Sequence, residues 1–197
     1  MYLMKTVEFS KLNKLYFGYE DLATVLGISR ASARVTASRY VQQGLLVRVK
    51  RNLYLLKERL NAAGREELFQ LANLGQVPSC ISLATALDYY EITTQVQRDV
   101  IESVAVKRSR EIRLNGTVCR YTKISSSLYF GYERQKGFFM ATPEKAFLDA
   151  MYLQSFGRYA LDLAAIDAGK LDRNKLRQMS GKFPLKTQQL LKKNGYL

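Results

Sequence analysis

Between Ile28 and Leu56 the chain carries Arg30, Arg34, Arg39, Arg48, Lys50 and Arg51 and no acidic residue. Interleaved with them are Ser29, Ser32, Ser38 and Gln42. Cations and short hydrogen-bonding side chains of this kind hold phosphate oxygens and donate to base edges; they are not a set that breaks bonds. Bond-breaking chemistry has few candidates elsewhere. The chain contains no histidine, which removes histidine-based triads, most catalytic zinc sites and the side chain best suited to proton transfer near neutral pH. Cys80 and Cys119 are too few for a disulfide framework or a cysteine zinc site. The expectation is a protein without catalysis, metal or cofactor.

Specific enzyme signatures are also absent. There is no G-x-x-x-x-G-K-[ST] loop and no Gly-Ser followed by spaced aspartates of a nucleotidyltransferase. Asp88, Glu91, Glu102 and Lys107 are the residues a nuclease would use. Five positions apart on a strand, Glu102 and Lys107 point to opposite faces, which argues against a shared metal. Glu144 and Asp149, five apart on a helix, point about 140° apart. A helix start and an exposed face are the simpler reading of that pair.

The elements that must position the cations follow from spacing. Met4, Val7, Leu12 and Leu15 predict a first helix over 4–16. Tyr19 to Leu26 predicts a short helix, ended by Gly27 in a positive-φ position. Ser29 caps a second helix running to Gln43 and stopped by Gly44. Helix, tight turn, helix is the spacing of a helix-turn-helix. At about 100° per residue, Ala33, Ala37, Tyr40 and Val41 fall on an inward face. Ala31, Ser32, Val35, Ser38, Arg39 and Gln42 face outward, flanked by Arg30 and Arg34. Leu45 to Val49 and Leu53 to Leu56 then read as a hairpin whose turn, Lys50-Arg51-Asn52, carries two cations. Directly after a helix-turn-helix, such a hairpin is a wing. Arg30, Ser32, Val35, Ser38 and Arg39 are expected to read bases, Val35 through a thymine methyl. Ser29, Arg34, Arg48, Lys50, Arg51 and Asn52 are expected to hold phosphates.

Charge is concentrated at the two ends of the sequence. The net charge is +14. Residues 1–57 and 169–197 each carry a net +7, and residues 58–168 are neutral. A surface of this kind attracts nucleic acid or an anionic membrane. Lys182, Lys186, Lys192 and Lys193 form a candidate second basic patch, with a solvated helical face as the alternative. No apolar run is long enough to span a bilayer, and the first residues show no basic-then-apolar leader. The expected address is the cytoplasm, with no membrane partner.

The length of 197 residues allows two small domains. Residues 1–57 are predicted to be a winged helix-turn-helix, 58–78 a connecting helix from Glu58 to about Asn73, and 79–197 a mixed α/β domain. Within the last, helices are expected over Ser82–Ile92, from Pro143 with Thr142 as N-cap, over 158–168 and 172–180, and from Leu185. Strands are expected at Val100–Lys107 and Gly137–Ala141. Arg110–Leu114 and Thr117–Ile124 should pair through Asn115-Gly116, a type I′ turn signal. The fold class is α+β.

Three stretches carry a resemblance: "GLLVRVKRNLYLL" at Gly44–Leu56, "CISLATALDYYEI" at Cys80–Ile92, and "ATPEKAFLDAMY" at Ala141–Tyr152. Together they resemble the AbiEi antitoxins of type IV toxin–antitoxin systems, over nearly the whole chain. The resemblance implies a transcriptional autorepressor that binds inverted repeats upstream of a two-gene operon. It also implies a nucleotidyltransferase-like toxin as the partner gene product, counteracted without a stable complex. The alternative is an RNA- or protein-binding module that neutralises a toxin directly.

Overall fold

The computed structural model describes residues 14–114 and 116–197. The chain divides into two compact units, 1–68 and 69–197. The division falls inside the stretch expected to connect two domains.

The first unit is a helix-turn-helix followed by a two-stranded ribbon. α1 spans Tyr19–Leu26 and α2 Arg30–Gln42. Glu20 and Asp21 lie in the first turn of α1, where carboxylates meet unpaired backbone N–H groups. The Asp21 carboxylate accepts the Gly18 N–H at 2.9 Å. Gly27 takes φ 63° and closes α1, and the Ile28 N–H returns to the Ala23 carbonyl. Ser29 then caps α2, its Oγ accepting from the Ser32 N–H at 3.1 Å. β1, Leu46–Lys50, pairs antiparallel with β2, Leu53–Leu56, with an irregularity between Arg48 and Lys50. Phe17 adds a further rung, exchanging both backbone hydrogen bonds with Tyr54 at 2.9 Å.

The core of this unit is Phe17, Leu22, Ala33, Ala37, Tyr40, Leu46 and Tyr54. Ala33 and Ala37 are fully buried; at those positions a small side chain lets α2 lie close against its neighbours. The expected first helix does not reach residue 16, because Lys14, Leu15 and Tyr16 are bends; the rest of that prediction lies outside the described residues. The single connecting helix is two helices, α3 over Lys57–Asn61 and α4 over Arg65–Gly75. They are interrupted at Gly64, whose N–H goes to the Glu67 carboxylate.

The second unit is a six-stranded mixed sheet with helices. Its strands are β3 (Ser79–Ile81), β4 (Val100–Ala105), β5 (Arg110–Leu114), β6 (Thr117–Lys123), β7 (Tyr132–Gln135) and β8 (Phe138–Ala141). They lie in the order β5-β6-β4-β3-β8-β7. The β3–β8 and β4–β6 pairs are parallel and the others antiparallel. The two parallel pairings join strands that do not follow one another in sequence, β3 with β8 across more than fifty residues, which local spacing does not predict. The fold class is α+β, as expected.

α5 (Leu83–Tyr89) and α6 (Pro143–Ser155) pack against each other, α5 also on β4, and α6 is backed by α7 (Arg173–Ser180) and α8 (Leu185–Lys193). Covered this way, α6 has no open face. The expected exposed face for Glu144 and Asp149 is therefore wrong: they are 5% and 0% exposed, with Lys145 at 1%. Lys145 Nζ pairs with Asp149 one turn on, and the Ser82 hydroxyl donates to the same carboxylate at 2.8 Å. Glu144 accepts the Asp172 N–H. Thr142 occupies the N-cap position of α6 but its hydroxyl makes no cap hydrogen bond.

Residues 158–168 are not an α-helix. Asp162 and Asp167 turn the backbone locally by accepting from the N–H groups of Ala164 and Gly169. The segment also pairs elsewhere, Thr94 N–H to the Ala165 carbonyl and Asp167 N–H to that of Ile92. No helix among the described residues is long and apolar enough to cross a membrane.

Candidate nucleic-acid interface

The outward face of α2 and the ribbon enclose a groove of about 570 Å³, lined by Arg34, Val35, Ser38, Val41, Arg48 and Arg51 with Tyr19 and Tyr54. Three guanidiniums thus converge from two elements on one concavity. α2 presents its face as the helical period requires: Ala33, Ala37 and Tyr40 are buried, while Ala31, Ser32, Arg34, Val35, Ser38, Arg39 and Gln42 are exposed. Val35 is 52% exposed, an apolar side chain left facing outward beside arginines.

The floor of the groove is fixed by two tyrosines. Their hydroxyls share a hydrogen bond of 3.1 Å, and their rings lie 5.7 Å apart. Burial, and then the bond to Tyr19, pushes the Tyr54 phenol up to about 12. It stays uncharged beside the guanidiniums at any physiological pH. Sequence reasoning missed this pair because 35 residues separate its members.

The expected site residues do not all meet in the groove. Arg34, Val35, Ser38, Arg48 and Arg51 meet in the groove. Arg30, Ser32 and Arg39 lie on the exposed α2 surface outside its lining. Arg30 Nε pairs with Glu20 at 2.7 Å, with both side chains more than half exposed; such a pair is weak and exchanges readily for a phosphate. Ser29 and Ser32 are engaged with each other, their hydroxyls 2.9 Å apart while Ser29 also caps the helix. One O–H of the two is left to donate outward.

Asn52 is engaged within the protein. Its Oδ1 accepts the Tyr19 N–H at 2.6 Å and its Nδ2 donates to Glu20 Oε2 at 3.3 Å. Asn52 also takes the turn's left-handed conformation, φ 57°, which asparagine tolerates better than most residues. It is a pin between the ribbon and the start of α1. Lys50 ends β1 half-buried, and Arg48 Nε approaches its carbonyl at 3.4 Å.

Residues 5–57 match the family described as "Transcriptional regulator, AbiEi antitoxin". Over these residues the chain is similar to the AbiEi antitoxin regulators. The match covers the helix-turn-helix and the ribbon together and ends where the groove's elements end. The stretches Cys80–Ile92 and Ala141–Tyr152 lie outside the matched residues. Over the whole chain, the fold is similar to the crystal structure of the RV2827C protein from Mycobacterium tuberculosis. The TM-score is 0.59 and the identity 12%, covering 95% of this chain and 74% of that one. No curated protein matches the sequence.

The C-terminal lysines lie far from the matched residues in sequence and are unlike the groove's arginines in setting. Lys182 Nζ lies 4.4 Å from the centre of the Phe130 ring and Lys186 Nζ 5.1 Å from that of Phe156. Lys192 and Lys193 stand exposed in the last turn of α8. Two of the four cations are thus already seated on aromatic faces.

Proposed function

We propose that the chain is a DNA-binding autorepressor, the antitoxin of a type IV toxin–antitoxin operon, acting in the cytoplasm without catalysis. The observation that carries this reading is the convergence of Arg34, Arg48 and Arg51 on one groove with the exposed Val35 and Ser38. α2 enters the major groove of an operator. Val35, Ser38 and Arg39 meet base edges there, with Arg30 and Ser32 at the helix start. Arg34, Arg48, Lys50 and Arg51 bind the flanking phosphates, Ser29 donates from the helix N-terminus, and Asn52 holds the ribbon in place. The match to the AbiEi regulators supports the regulatory role and the toxin partner. The partner is a nucleotidyltransferase-like toxin, countered without a stable complex.

Hydroxyl-radical footprinting of the region upstream of the gene tests the reading. Protection of an inverted repeat is the expected result. Uniform cleavage at concentrations that saturate nonspecific binding would overturn it.

A further inference from the structure

β7 forms one edge of the sheet in the second unit, and its outward face is aromatic. Arg134 lies opposite Phe139 in the β7–β8 register, so the two side chains share a face with Tyr132, two residues away. All three are exposed, Tyr132 by 36% and Phe139 by 42%. The Tyr132 ring lies 5.9 Å from Phe139 and 4.7 Å from Tyr129. Phe138 and Met140, which alternate with Phe139, point into the core instead.

Beside these rings lies a cleft of about 280 Å³, lined by Tyr129, Tyr132 and Phe139 with Asn73, Leu74 and Pro78 among others. Asn73 is 9% exposed. Its Oδ1 accepts the Phe139 N–H, which fixes the amide's orientation, since a backbone N–H requires an acceptor. The other end, Nδ2, is buried and has no hydrogen-bond partner among the described residues. A buried amide donor left unpaired carries a desolvation penalty that a ligand carbonyl would remove. The Arg134 side chain makes no hydrogen bond or ion pair within the described residues.

We infer that this cleft binds single-stranded nucleic acid. One base stacks on the Tyr132–Phe139 face and presents a ring carbonyl to Asn73 Nδ2, while Arg134 takes the adjoining phosphate. Exposed aromatic rings with a neighbouring arginine are the combination that recognises unpaired bases. A purely apolar peptide side chain would fill the cleft and leave the amide unsatisfied. The inference goes beyond duplex binding by α2 and the ribbon, and it does not depend on it.

The test uses the full chain and short fluorescein-labelled oligouridylate and oligothymidylate, whose bases carry carbonyls and stack weakly on one another. Phe139→Ala and Phe139→Leu should each weaken binding about tenfold, while Phe139→Tyr retains it. Tyr132→Ala should weaken it similarly. Both rings are exposed, so these variants should melt with the wild type. Duplex operator binding should be unchanged in all of them, which separates this site from the groove of the first unit. A stronger grip on oligouridylate than on oligothymidylate would mark RNA as the ligand, the reverse DNA. Equal binding by wild type, F139A and F139L would overturn the inference. So would failure of both oligonucleotides to bind, which would leave the cleft to an apolar peptide segment.

Discussion

The side-chain carbonyl of Asn52 accepts the backbone N–H of Tyr19 at 2.6 Å. One residue at the ribbon's turn therefore satisfies an unpaired donor at the start of α1, in the manner of an N-cap supplied from a distance. The groove has its shape because this bond and the Phe17–Tyr54 rung hold the ribbon against the helices.

Asn52→Ala removes that bond and places alanine at φ 57°. It should lower stability by about 2 kcal/mol, from the lost cap and the left-handed backbone together. Asn52→Gly relieves the backbone part and should cost about half as much. Denaturant midpoints of the three proteins check this; equal midpoints would show that the pin carries no weight.

Arg39 and Arg51 should fail differently. Arg39→Ala should reduce discrimination between operator and random duplex by about 1–3 kcal/mol. Arg51→Ala should weaken both duplexes alike and lower the salt slope by about one. Titrations at several salt concentrations separate the two; identical behaviour of the variants would remove the assignment of helix to bases and ribbon to phosphates.

Val35 tests the groove without touching a cation. Val35→Glu sets a carboxylate beside Arg34, Arg48 and Arg51, where it would both neutralise them and repel phosphate. Duplex affinity should fall at least tenfold, on the order of 1.4 kcal/mol or more. The melting temperature should barely move, because the side chain is half exposed.

Much of the first unit was legible because it is local. A period of about 3.6 separates Ala33, Ala37 and Tyr40 from Val35, Ser38 and Arg39, and the structure places each group accordingly. The Asn52 pin was not legible, since its partner lies 33 residues away. The second unit was harder for the same reason. β7 reads Tyr-Glu-Arg-Gln, with little strand propensity. It pairs with β8 through Lys136 and Gly137 at φ 42° and 90°, a turn for which the usual Asn-Gly signal is missing. The burial of Glu144, Lys145 and Asp149 depends on elements that converge on α6 from several directions, and no window of sequence contains them.

That buried trio has its own consequence. Lys145→Ala leaves the Asp149 carboxyl at 0% exposure without its cation, held only by the Ser82 hydroxyl, and should cost about 3–5 kcal/mol. Replacing both partners, Lys145→Met with Asp149→Leu, should recover most of the loss. Urea unfolding reads the difference; a double variant no better than the single would mean that the pair itself stabilises the fold.

Glu102 gives a pH dependence. Burial pushes its carboxyl above the ordinary 4.5, against the pull of the Tyr159 hydroxyl, 2.7 Å away, and of Arg120. An acid with a raised folded value holds its proton more tightly when folded. Its contribution is therefore largest below about pH 4.5 and declines as pH rises through the folded value. Glu102→Gln keeps an acceptor for Tyr159 and removes that decline. The variant should gain on the wild type as pH rises above the ordinary carboxylate value of about 4.5; a difference that stays constant with pH would show that Glu102 does not titrate differently on folding.

The most direct test of DNA recognition by α2 and the ribbon is fluorescence anisotropy of a labelled duplex from upstream of the gene. A scrambled duplex of the same composition is the control, and both are titrated over a salt series. A preference for the upstream duplex that survives at about 150 mM salt is the predicted result. Equal binding of the two duplexes, vanishing together as salt rises, would contradict it and reduce the arginine groove to a counterion effect.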